Sequence, residues 1–289
     1  MQAKYVILSP VRNEARHLPA TIASVTSQTI LPAQWILIDD GSTDGSTDII
    51  EQASQRHPWI SLVRRQDRGM RKPGTGVIEA FYDGYPQIQT DWDYLIKLDG
   101  DVSFNPDYFE KCFVEFEKNP SLGIGGGTVC RLEHGQPTPE SKVDPAFHVR
   151  GATKIYKREC WNAIGELIRA PGWDTLDELK ANMLGWTTLT FPHIQIIHHK
   201  FAGSADGSWR NWVKNGLANY IVGYHPLFMV LKCCNRLRQK PYFIAGTGLL
   251  TGFLSGYMKK EPQISDKALI HYLRKQQLNY LCCKESLWR

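Results

Sequence analysis

An apolar run in this 289-residue chain ends abruptly in two carboxylates separated by one glycine, Asp99-Gly100-Asp101. The run, residues 94–98, predicts a buried strand, so both acids would lie where that strand reaches solvent. Two acids at positions i and i+2 can face one hard cation, and Gly100 lets the backbone turn sharply between them. Such a cation would neutralise a diphosphate as it leaves. The alternative is an ordinary turn, because turns are rich in Asp and Gly.

Strand and helix patterns alternate through the first hundred residues. Strands are predicted at 5–8, 35–38, 60–63 and 94–98, and helices at 15–28, from 46 or 47 onward, and at 76–85. Strands separated by helices pair in parallel with right-handed crossovers, and ligands bind beyond the carboxyl ends of such strands. The polar clusters of the sequence fall at these ends, at 12–14, 39–40, 64–68 and 99–101.

The pattern changes between residues 104 and 200. A helix is predicted from 105 with three phenylalanines on one face, followed by a glycine-rich strand entry at 123–127 and a flexible loop at 135–145. No helix starts directly after the glycines, so they do not form a phosphate-binding loop. A strand at 151–156, a helix at 173–185 and a strand at 187–198 complete this part.

Beyond residue 201 the pattern is helical and aromatic. Residues 242–258 are apolar but fall short of the roughly 20 residues that a spanning helix needs, so we predict a segment lying on or shallowly in a membrane surface. A helical hairpin packed on the protein is the alternative. The spacing of Gly248, Gly252 and Gly256 predicts close helix packing. Lysines and arginines that interrupt the apolar segments favour a membrane surface over nucleic acid.

Composition predicts a folded protein with no nucleic-acid partner. The chain is 42% hydrophobic and 22% charged, and its net charge of +5 is not gathered into one block. Seven cysteines include no CxxC pair, and two adjacent pairs are poorly placed to bridge, which favours free thiols in a reducing compartment. The first strand begins too early for a signal peptide. We therefore expect a cytoplasmic protein, peripheral on the inner face of a membrane.

Three motifs occur in a fixed order: residues 9–14 (SPVRNE), 38–44 (IDDGSTD) and 97–101 (KLDGD). Together they resemble the family-2 inverting glycosyltransferases of the GT-A fold. The resemblance implies an α/β fold with a mostly parallel sheet flanked by helices over residues 1–200, and a helical C-terminal region at 201–289. It also implies a nucleotide-diphosphate sugar as donor and a saccharide or lipid-linked molecule as acceptor.

The resemblance assigns nucleotide-sugar binding to residues at the strand ends. Asp40 would read the base, and a carboxylate suits this because it accepts from a base N–H. The other implied contacts come from Pro10, Arg12, Asn13, Glu14, Asp39, Arg68, Asp99 and Gly100. From the residues alone, 39–42 also fit a turn with a helix cap, Glu14 a helix-start acid, and Arg68 a solvated charge.

The resemblance also implies a cofactor, Mn²⁺ or Mg²⁺, held by Asp101 and bridging the two phosphates. Asp99 would contact the ribose or the metal, and His198 the diphosphate or the metal. Oxygen ligands of this kind suit a hard divalent ion. Two adjacent histidines at a strand end are otherwise only a polar edge.

Inversion requires a general base that deprotonates the acceptor hydroxyl. The family carries this base near the start of a late helix, usually in a Glu-Asp pair, and that pair is absent here. Asp177 lies four residues after Trp173, as the base often does, whereas counting back from Gly185 favours Asp174. Asp177 is our first candidate and Asp174 our second. Either could instead be a helix N-terminal acid.

The sequence therefore predicts transfer of one sugar per encounter, since the C-terminal third lacks the Gln-x-x-Arg-Trp sequence of processive synthases. Trp209, Trp212 and residues 220–231 are candidates for contact with a lipid-linked acceptor, with packing on the core as the alternative. A nucleotidyltransferase is a rival, although its first loop would be rich in glycine. An inactive GT-A scaffold that binds a partner is another.

Overall fold

The structure is a computed structural model that describes residues 3–69, 75–141, 144–200, 208–237 and 242–289. Its strands are β1 (Tyr5–Val11), β2 (Gln34–Asp39), β3 (Ile60–Arg64), β4 (Tyr94–Leu98), β5 (Val102–Ser103), β6 (Leu122–Glu133), β7 (Gln136–Pro139), β8 (Thr153–Lys157) and β9 (Thr187–His198). Its helices are α1 (Leu18–Thr26), α2 (Ser46–Arg56), α3 (Gly76–Gly84), α4 (Tyr108–Lys118), α5 (Arg158–Ile164), α6 (Trp173–Met183), α7 (Ser208–Val222), α8 (Pro226–Leu237), α9 (Ile244–Met258) and α10 (Lys267–Leu281).

All described strands belong to one sheet with the order β3-β2-β1-β4-β8-β6-β9-β5, and β7 pairs with β6. The first four strands are parallel to one another, as is β6 to β9, and the remaining pairings are antiparallel. This confirms the predicted fold class, with a parallel half formed by the N-terminal strands. In that half Val11 lies opposite Asp39, so the loops after β1 and β2 leave the same edge.

The sheet is covered on both faces, and the central strands β1, β2 and β4 are accordingly buried at nearly every position rather than at alternate ones. One face, with Tyr5 and Ile7, packs against α1, α2 and α4. The opposite face, with Val6 and Leu8, packs against α3, α5 and α6. The carboxyl edge of β1, β2 and β4 is thereby left as the rim on which a site can form.

One prediction for the middle of the chain was wrong, and one helix was not predicted. The predicted loop at 135–145 contains β7, which makes a hairpin with the end of β6. His134 and Gly135, both with positive φ, form its turn, and residues 136–139 pair despite two prolines because they lie at an edge. Helix α5 had no predicted counterpart, since its seven residues are too few for a clear helical period.

The C-terminal helices pack on one another and on α6. A Cβ placed on Gly252 would lie 1.9 Å from the carbonyl oxygen of Val213, which confirms the close packing that the glycine spacing predicted. Leu176 and Leu179 of α6 share an apolar cluster with α8, α9 and α10. Because this cluster joins α6 to the C-terminal helices, the packing does not mark a boundary at residue 200, which stays a prediction.

Two further sequence-based expectations concern cysteines and membrane spans. All seven cysteines are unpaired, as predicted. Within the described ranges no helix is long and apolar enough to cross a membrane.

Candidate active site

The loop after β1 is fastened to the loop after β2. Asn13 donates its backbone N–H to the Ser42 hydroxyl at 3.0 Å and accepts from the Thr43 N–H at 2.8 Å, while its own φ is +55°. Glu14 donates its N–H to the Ser46 hydroxyl at 2.9 Å. A left-handed asparagine costs free energy, which these bonds offset. Pro10, half-buried in β1, leads into this pair of loops.

Asp39 and Asp40 have different surroundings. The Asp39 carboxylate accepts from the Ser42 N–H at 2.9 Å and from the Thr47 hydroxyl, so it holds the loop that leads into α2. The Asp40 carboxylate lies between two guanidinium groups, those of Arg65 and Arg68, the latter at 2.5 Å. The hydrogen bonds of Asp39 therefore stabilise the loop before α2, whereas Asp40 lies at a surface lined by arginines.

That surface is a hollow of about 590 Å³ at the end of β3, lined by Val63, Arg65, Arg68 and Tyr82 among others. Arg12, in the loop after β1, donates from its guanidinium to the carbonyl oxygen of Asp40 and pairs with Asp67 at 2.8 Å. The sequence singled out Arg68 but missed Arg65. The available signal was that the polar cluster at 64–68 contains three arginines.

Asp99 and Asp101 occupy the turn between β4 and β5, as the sequence predicted. Asp99 is part-exposed and pairs with the ammonium group of Lys97. Asp101 is buried, and its Oδ2 lies 3.3 Å from Nε2 of His198. Burial acts to raise the pKa of Asp101, but the His198 hydrogen bond and charge outweigh it, so the pKa is lowered and the group is ionised.

His198 is held between two carboxylates. Its Nδ1 lies 2.8 Å from Glu140, a residue of the segment after β7, and its Nε2 faces Asp101. Burial acts to lower the pKa of His198, but hydrogen bonds to these two acids raise it to about 10. The sequence did not identify Glu140, which is 58 positions from His198 along the chain. Its neighbour His199 instead contacts the Ser103 hydroxyl at 2.8 Å.

Glu14 adds a third carboxylate to this edge. Its Oε1 pairs with Lys200 at 2.7 Å, and its Oε2 is buried without a hydrogen-bond partner among the described residues. Burial raises the pKa of Glu14, Lys200 opposes this, and the charges of Asp101 and Asp99 raise it further. A Cβ on Gly100 would lie 3.8 Å from Cγ of Glu14, which places this acid against the Asp-Gly-Asp turn.

These residues fit the binding of a hard divalent ion whose remaining ligands come from the substrate. Within the described ranges no three His, Cys, Asp or Glu side chains lie close enough to hold a metal by themselves. Mg²⁺ is usually bound by one or two carboxylates together with substrate phosphates and water. Asp101 and Asp99 supply such oxygens, and Glu14, whose Oε2 has no hydrogen-bond partner among the described residues, packs against Gly100 between them. His198 in its protonated form is a donor toward anions and not a ligand.

Two buried lysines connect this edge to helix α6. Lys97 and Lys154 lie directly opposite each other on β4 and β8, and both ammonium groups lie near the Trp173 ring, at 5.6 and 5.5 Å from its centroid. Lys97 also donates to the Gly151 carbonyl oxygen as well as to Asp99. Lys97 therefore links the acidic turn, through Asp99, to Trp173, the first residue of α6.

The two candidate bases on α6 have opposite environments. Asp174 is part-exposed in the first turn, and its Oδ2 would lie 3.6 Å from a Cβ on Gly151. Asp177 is fully enclosed and accepts from Lys154 at 2.8 Å and from the Tyr156 hydroxyl at 2.5 Å. Burial raises the pKa of Asp177 to about 6, although Lys154 opposes the shift.

Helix α6 also borders a cavity of about 600 Å³ formed with the C-terminal helices. Thr175 lines it beside Asp174, and Tyr224 and Phe228 form part of its wall. Both residues belong to the 220–231 stretch that the sequence flagged, and both also pack in the apolar cluster shared with α6. Trp212 lies under the Arg236 guanidinium at 5.4 Å, and Trp209 is exposed.

Solved structures share this fold at low sequence identity. A structure of GalNAc-T7 with UDP, GalNAc and Mn²⁺ superposes with a TM-score of 0.61 and 13% identity, covering 99% of this chain and 55% of that one. The mannosyltransferase PcManGT from Pyrobaculum calidifontis, in complex with GDP-Man and Mn²⁺, gives a TM-score of 0.55 and 15% identity, covering 98% and 84%. These similarities show the GT-A fold.

Relatives in sequence are longer proteins that match in part. The chondroitin synthase of Escherichia coli is 27% identical over 116 residues, which are 40% of this chain and 16% of that protein. The undecaprenyl-phosphate 4-deoxy-4-formamido-L-arabinose transferase of Pseudomonas syringae pv. syringae is 30% identical over 106 residues, 35% of this chain and 29% of that protein. The chain thus spans less than a third of either relative.

The profile of "Glycosyl transferase family 2" matches residues 6–169. This range includes all three sequence motifs and every strand-end acid described above, and it covers more than half of the chain. The protein belongs to glycosyl transferase family 2.

Proposed function

We propose that the protein transfers a single sugar from a nucleotide-diphosphate sugar to an acceptor hydroxyl, with inversion at the anomeric carbon, in the synthesis of a cell-surface polysaccharide or glycolipid. One observation carries the proposal. Acids from the ends of β1, β2 and β4 meet at one edge of the sheet, and Lys97 ties that edge to the start of α6, where Asp174 is accessible. These contacts support the proposal that donor-side and acceptor-side groups belong to one site.

On the donor side, Asp40 and the arginine-lined hollow beside it are proposed to hold the nucleotide. A carboxylate accepts up to four hydrogen bonds, so Asp40 can bind a base N–H while it keeps its two arginine contacts. Asn13 and Glu14 border the same edge through the fastened loops. The ring of the base would lie against Arg65 or Arg68, whose planar guanidinium groups stack on aromatic faces.

On the diphosphate side, Asp101 and Asp99 would hold Mn²⁺ or Mg²⁺ together with the phosphates. When bound, such an ion neutralises charge on the departing nucleoside diphosphate. The imidazole of His198, fixed by Glu140, lies in the same region, and in its protonated form it donates toward phosphate oxygens. Lys97 forms a direct ion pair with Asp99.

On the acceptor side, we favour Asp174 over Asp177 as the general base. The attacking oxygen forms its bond to the anomeric carbon as the bond to the diphosphate oxygen breaks, and Asp174 takes the hydroxyl proton. Asp177 already accepts from Lys154 and Tyr156 and has no face open to an acceptor. The Asp177 carboxylate instead compensates the positive charge of the buried Lys154.

The first experiment is incubation of the protein with a panel of nucleotide sugars and Mn²⁺ or Mg²⁺, with and without a chelator. Metal-dependent release of a nucleoside diphosphate from one donor supports the proposal, and NMR of the product anomer tests inversion. Release of pyrophosphate would favour a nucleotidyltransferase. If no donor is turned over and calorimetry detects no nucleotide binding, an inactive scaffold replaces the proposal.

We also propose that the outer face of α9 rests on a membrane surface. Its buried stripe packs on α7, and the opposite stripe exposes Phe243, Leu250, Leu254 and Met258, with Met258 83% exposed. Two exposed lysines, Lys259 and Lys260, follow directly. Apolar side chains beside lysines suit the boundary between headgroups and acyl chains of an anionic bilayer.

Sedimentation with phosphatidylglycerol vesicles tests this surface. Wild type should sediment with the vesicles, and the Leu254→Ser/Met258→Ser variant should remain in the supernatant because it loses inserted apolar area. Leu31→Ser, which changes an exposed leucine in the loop before β2, is the matched control and should sediment like wild type. Equal sedimentation of all three proteins would refute the assignment.

A further inference from the structure

The cavity between α6 and the C-terminal helices has an aromatic wall next to the proposed base. Phe147 and Trp288 pack edge to face with centroids 5.1 Å apart, and Tyr224 and Phe228 continue the wall. Thr175 forms the part of the rim adjacent to Asp174. Aromatic faces of this kind suit the apolar face of a sugar ring. Asp174 lies next to this cavity, because it precedes Thr175 on α6 and its charge acts on Tyr224 and His148, which line the cavity.

The cavity also contains donors that the proposed transfer reaction does not use. Lys232 lies with its Nζ 4.8 Å from the Tyr224 ring centroid and 3.5 Å from Oδ1 of Asn219. The Nδ2 of Asn219 is buried with no hydrogen-bond partner in the part of the chain that the structure describes. Arg236 lies one helical turn from Lys232 on α8 and also lines the cavity.

The Lys232 ammonium contacts an aromatic ring and an amide oxygen, and it pairs with no carboxylate in the part of the chain that the structure describes. Asp144 also lines the cavity, where its oxygens are 4.0 Å from the guanidinium groups of Arg236 and Arg150. His148 is paired with the buried Glu178 at 2.9 Å. Burial lowers the pKa of Lys232 to about 8, with repulsion from Arg236 adding to the shift. The contacts of Lys232 and its lowered pKa together indicate a desolvated ammonium group without a paired carboxylate.

We propose that this cavity is the acceptor site and that Lys232, with Arg236 and Asn219, binds a phosphate group of the acceptor. The inference rests on the proposed function, because it names the substrate class of the same site. A phosphate offers oxygens in several directions, which matches an ammonium, a guanidinium and an amide that converge from three residues. The phosphate belongs either to a lipid-linked acceptor or to a soluble sugar phosphate.

The test is a titration followed by tryptophan fluorescence, since Trp288 lines the cavity. The ligands are farnesyl phosphate, glucose 1-phosphate and uncharged methyl glucoside. We expect at least one phosphate ligand to bind about tenfold or more tightly than the glucoside. Binding of farnesyl phosphate alone identifies a lipid-linked acceptor, and binding of glucose 1-phosphate alone identifies a soluble one.

Three variants assign the binding to the cavity. Lys232→Met should weaken phosphate binding about tenfold or more, while Lys232→Arg should retain it. Lys275→Met removes the same charge from an exposed position of α10 and should bind like wild type. Thermal melting of each variant confirms that it is folded.

Several results would overturn the cavity assignment. These are equal binding of the uncharged glucoside, unchanged phosphate binding in folded Lys232→Met, and binding of neither phosphate ligand by wild type. The donor-hydrolysis assay on wild type is a separate readout. Hydrolysis without phosphate binding would therefore refute the cavity assignment and leave the transferase proposal standing.

Discussion

Helix α6 carries two aspartates one turn apart, and the protein treats them differently. Asp174 lies at the first turn, part-exposed, between the Asp-Gly-Asp edge and the cavity. Asp177 is enclosed with Glu178 around the ammonium of Lys154, at 2.8 and 2.7 Å. The comparison teaches that residue type and spacing select candidates for chemistry, whereas access to substrate decides among them. It also divides the acids of this protein into an open group and an enclosed group.

The acids of the proposed site, the buried Asp101 as well as the part-exposed Asp174, should carry turnover. Asp101→Ala is expected to reduce sugar transfer below detection, because the diphosphate loses the group that would hold its counter-ion. Far-UV circular dichroism should remain that of wild type. Retained transfer in this variant would refute the metal assignment.

Asp174→Asn should lower kcat by about 10² to 10⁴-fold with a smaller change in donor KM, because a general base acts in the transition state. Steady-state assays with a donor identified by the panel measure this. Asp48→Asn, an exposed acid on α2, is the matched control and should retain wild-type kinetics. If Asp174→Asn is fully active, Asp177 returns as the candidate base.

Asp177→Asn should show the reverse behaviour, with a large loss of stability. Removing one partner of a buried ion pair typically costs about 3 to 5 kcal/mol, because the remaining charge is left uncompensated. Urea unfolding of Asp177→Asn and Asp174→Asn, side by side, measures the contrast, and the second variant should lie within about 0.5 kcal/mol of wild type. If the two variants had equal free energies of unfolding, the division into open and enclosed acids would be wrong.

The enclosed group should also give a pH dependence of stability. Burial acts to lower the pKa of His148, but Glu178 raises it to about 9, above the ordinary histidine value of 6.5. The stabilisation by the His148–Glu178 pair is therefore complete below pH 6.5 and is lost as the pH rises through 9. Melting temperatures measured from pH 6 to 10 should fall across this window in wild type. His148→Gln should reduce the fall, and an unchanged slope would contradict the assignment.

The strand ends and their acids were predictable from sequence. The apolar run at 94–98 is β4, the strand at 187–198 is β9, and both predicted metal-motif acids lie in one turn with His198 beside Asp101. Local patterns suffice here because a fully buried strand is apolar throughout and its polar successor marks its carboxyl end. Family membership and the GT-A fold are confirmed on the same motifs.

The partners of those acids were not predictable. Glu140 faces His198 because the β6–β7 hairpin returns to this edge, and Lys154 is buried because β8 places it opposite Lys97. In sequence both residues are ordinary surface charges, since burial of a charge depends on a partner distant along the chain. The same point bears on the order of the two candidate bases, because the ion-pair partner of Asp177 is 23 positions away along the chain.

The contact at Gly252 has a consequence for the ancestry of the C-terminal region. Because the α9 backbone approaches Val213 more closely than any side chain permits, α7 and α9 form an inseparable pair. Recombination that exchanged only one of these helices with a relative would place a Cβ inside its neighbour's backbone. We therefore expect chimeras of this protein to fold stably only when α7 and α9 come from the same parent.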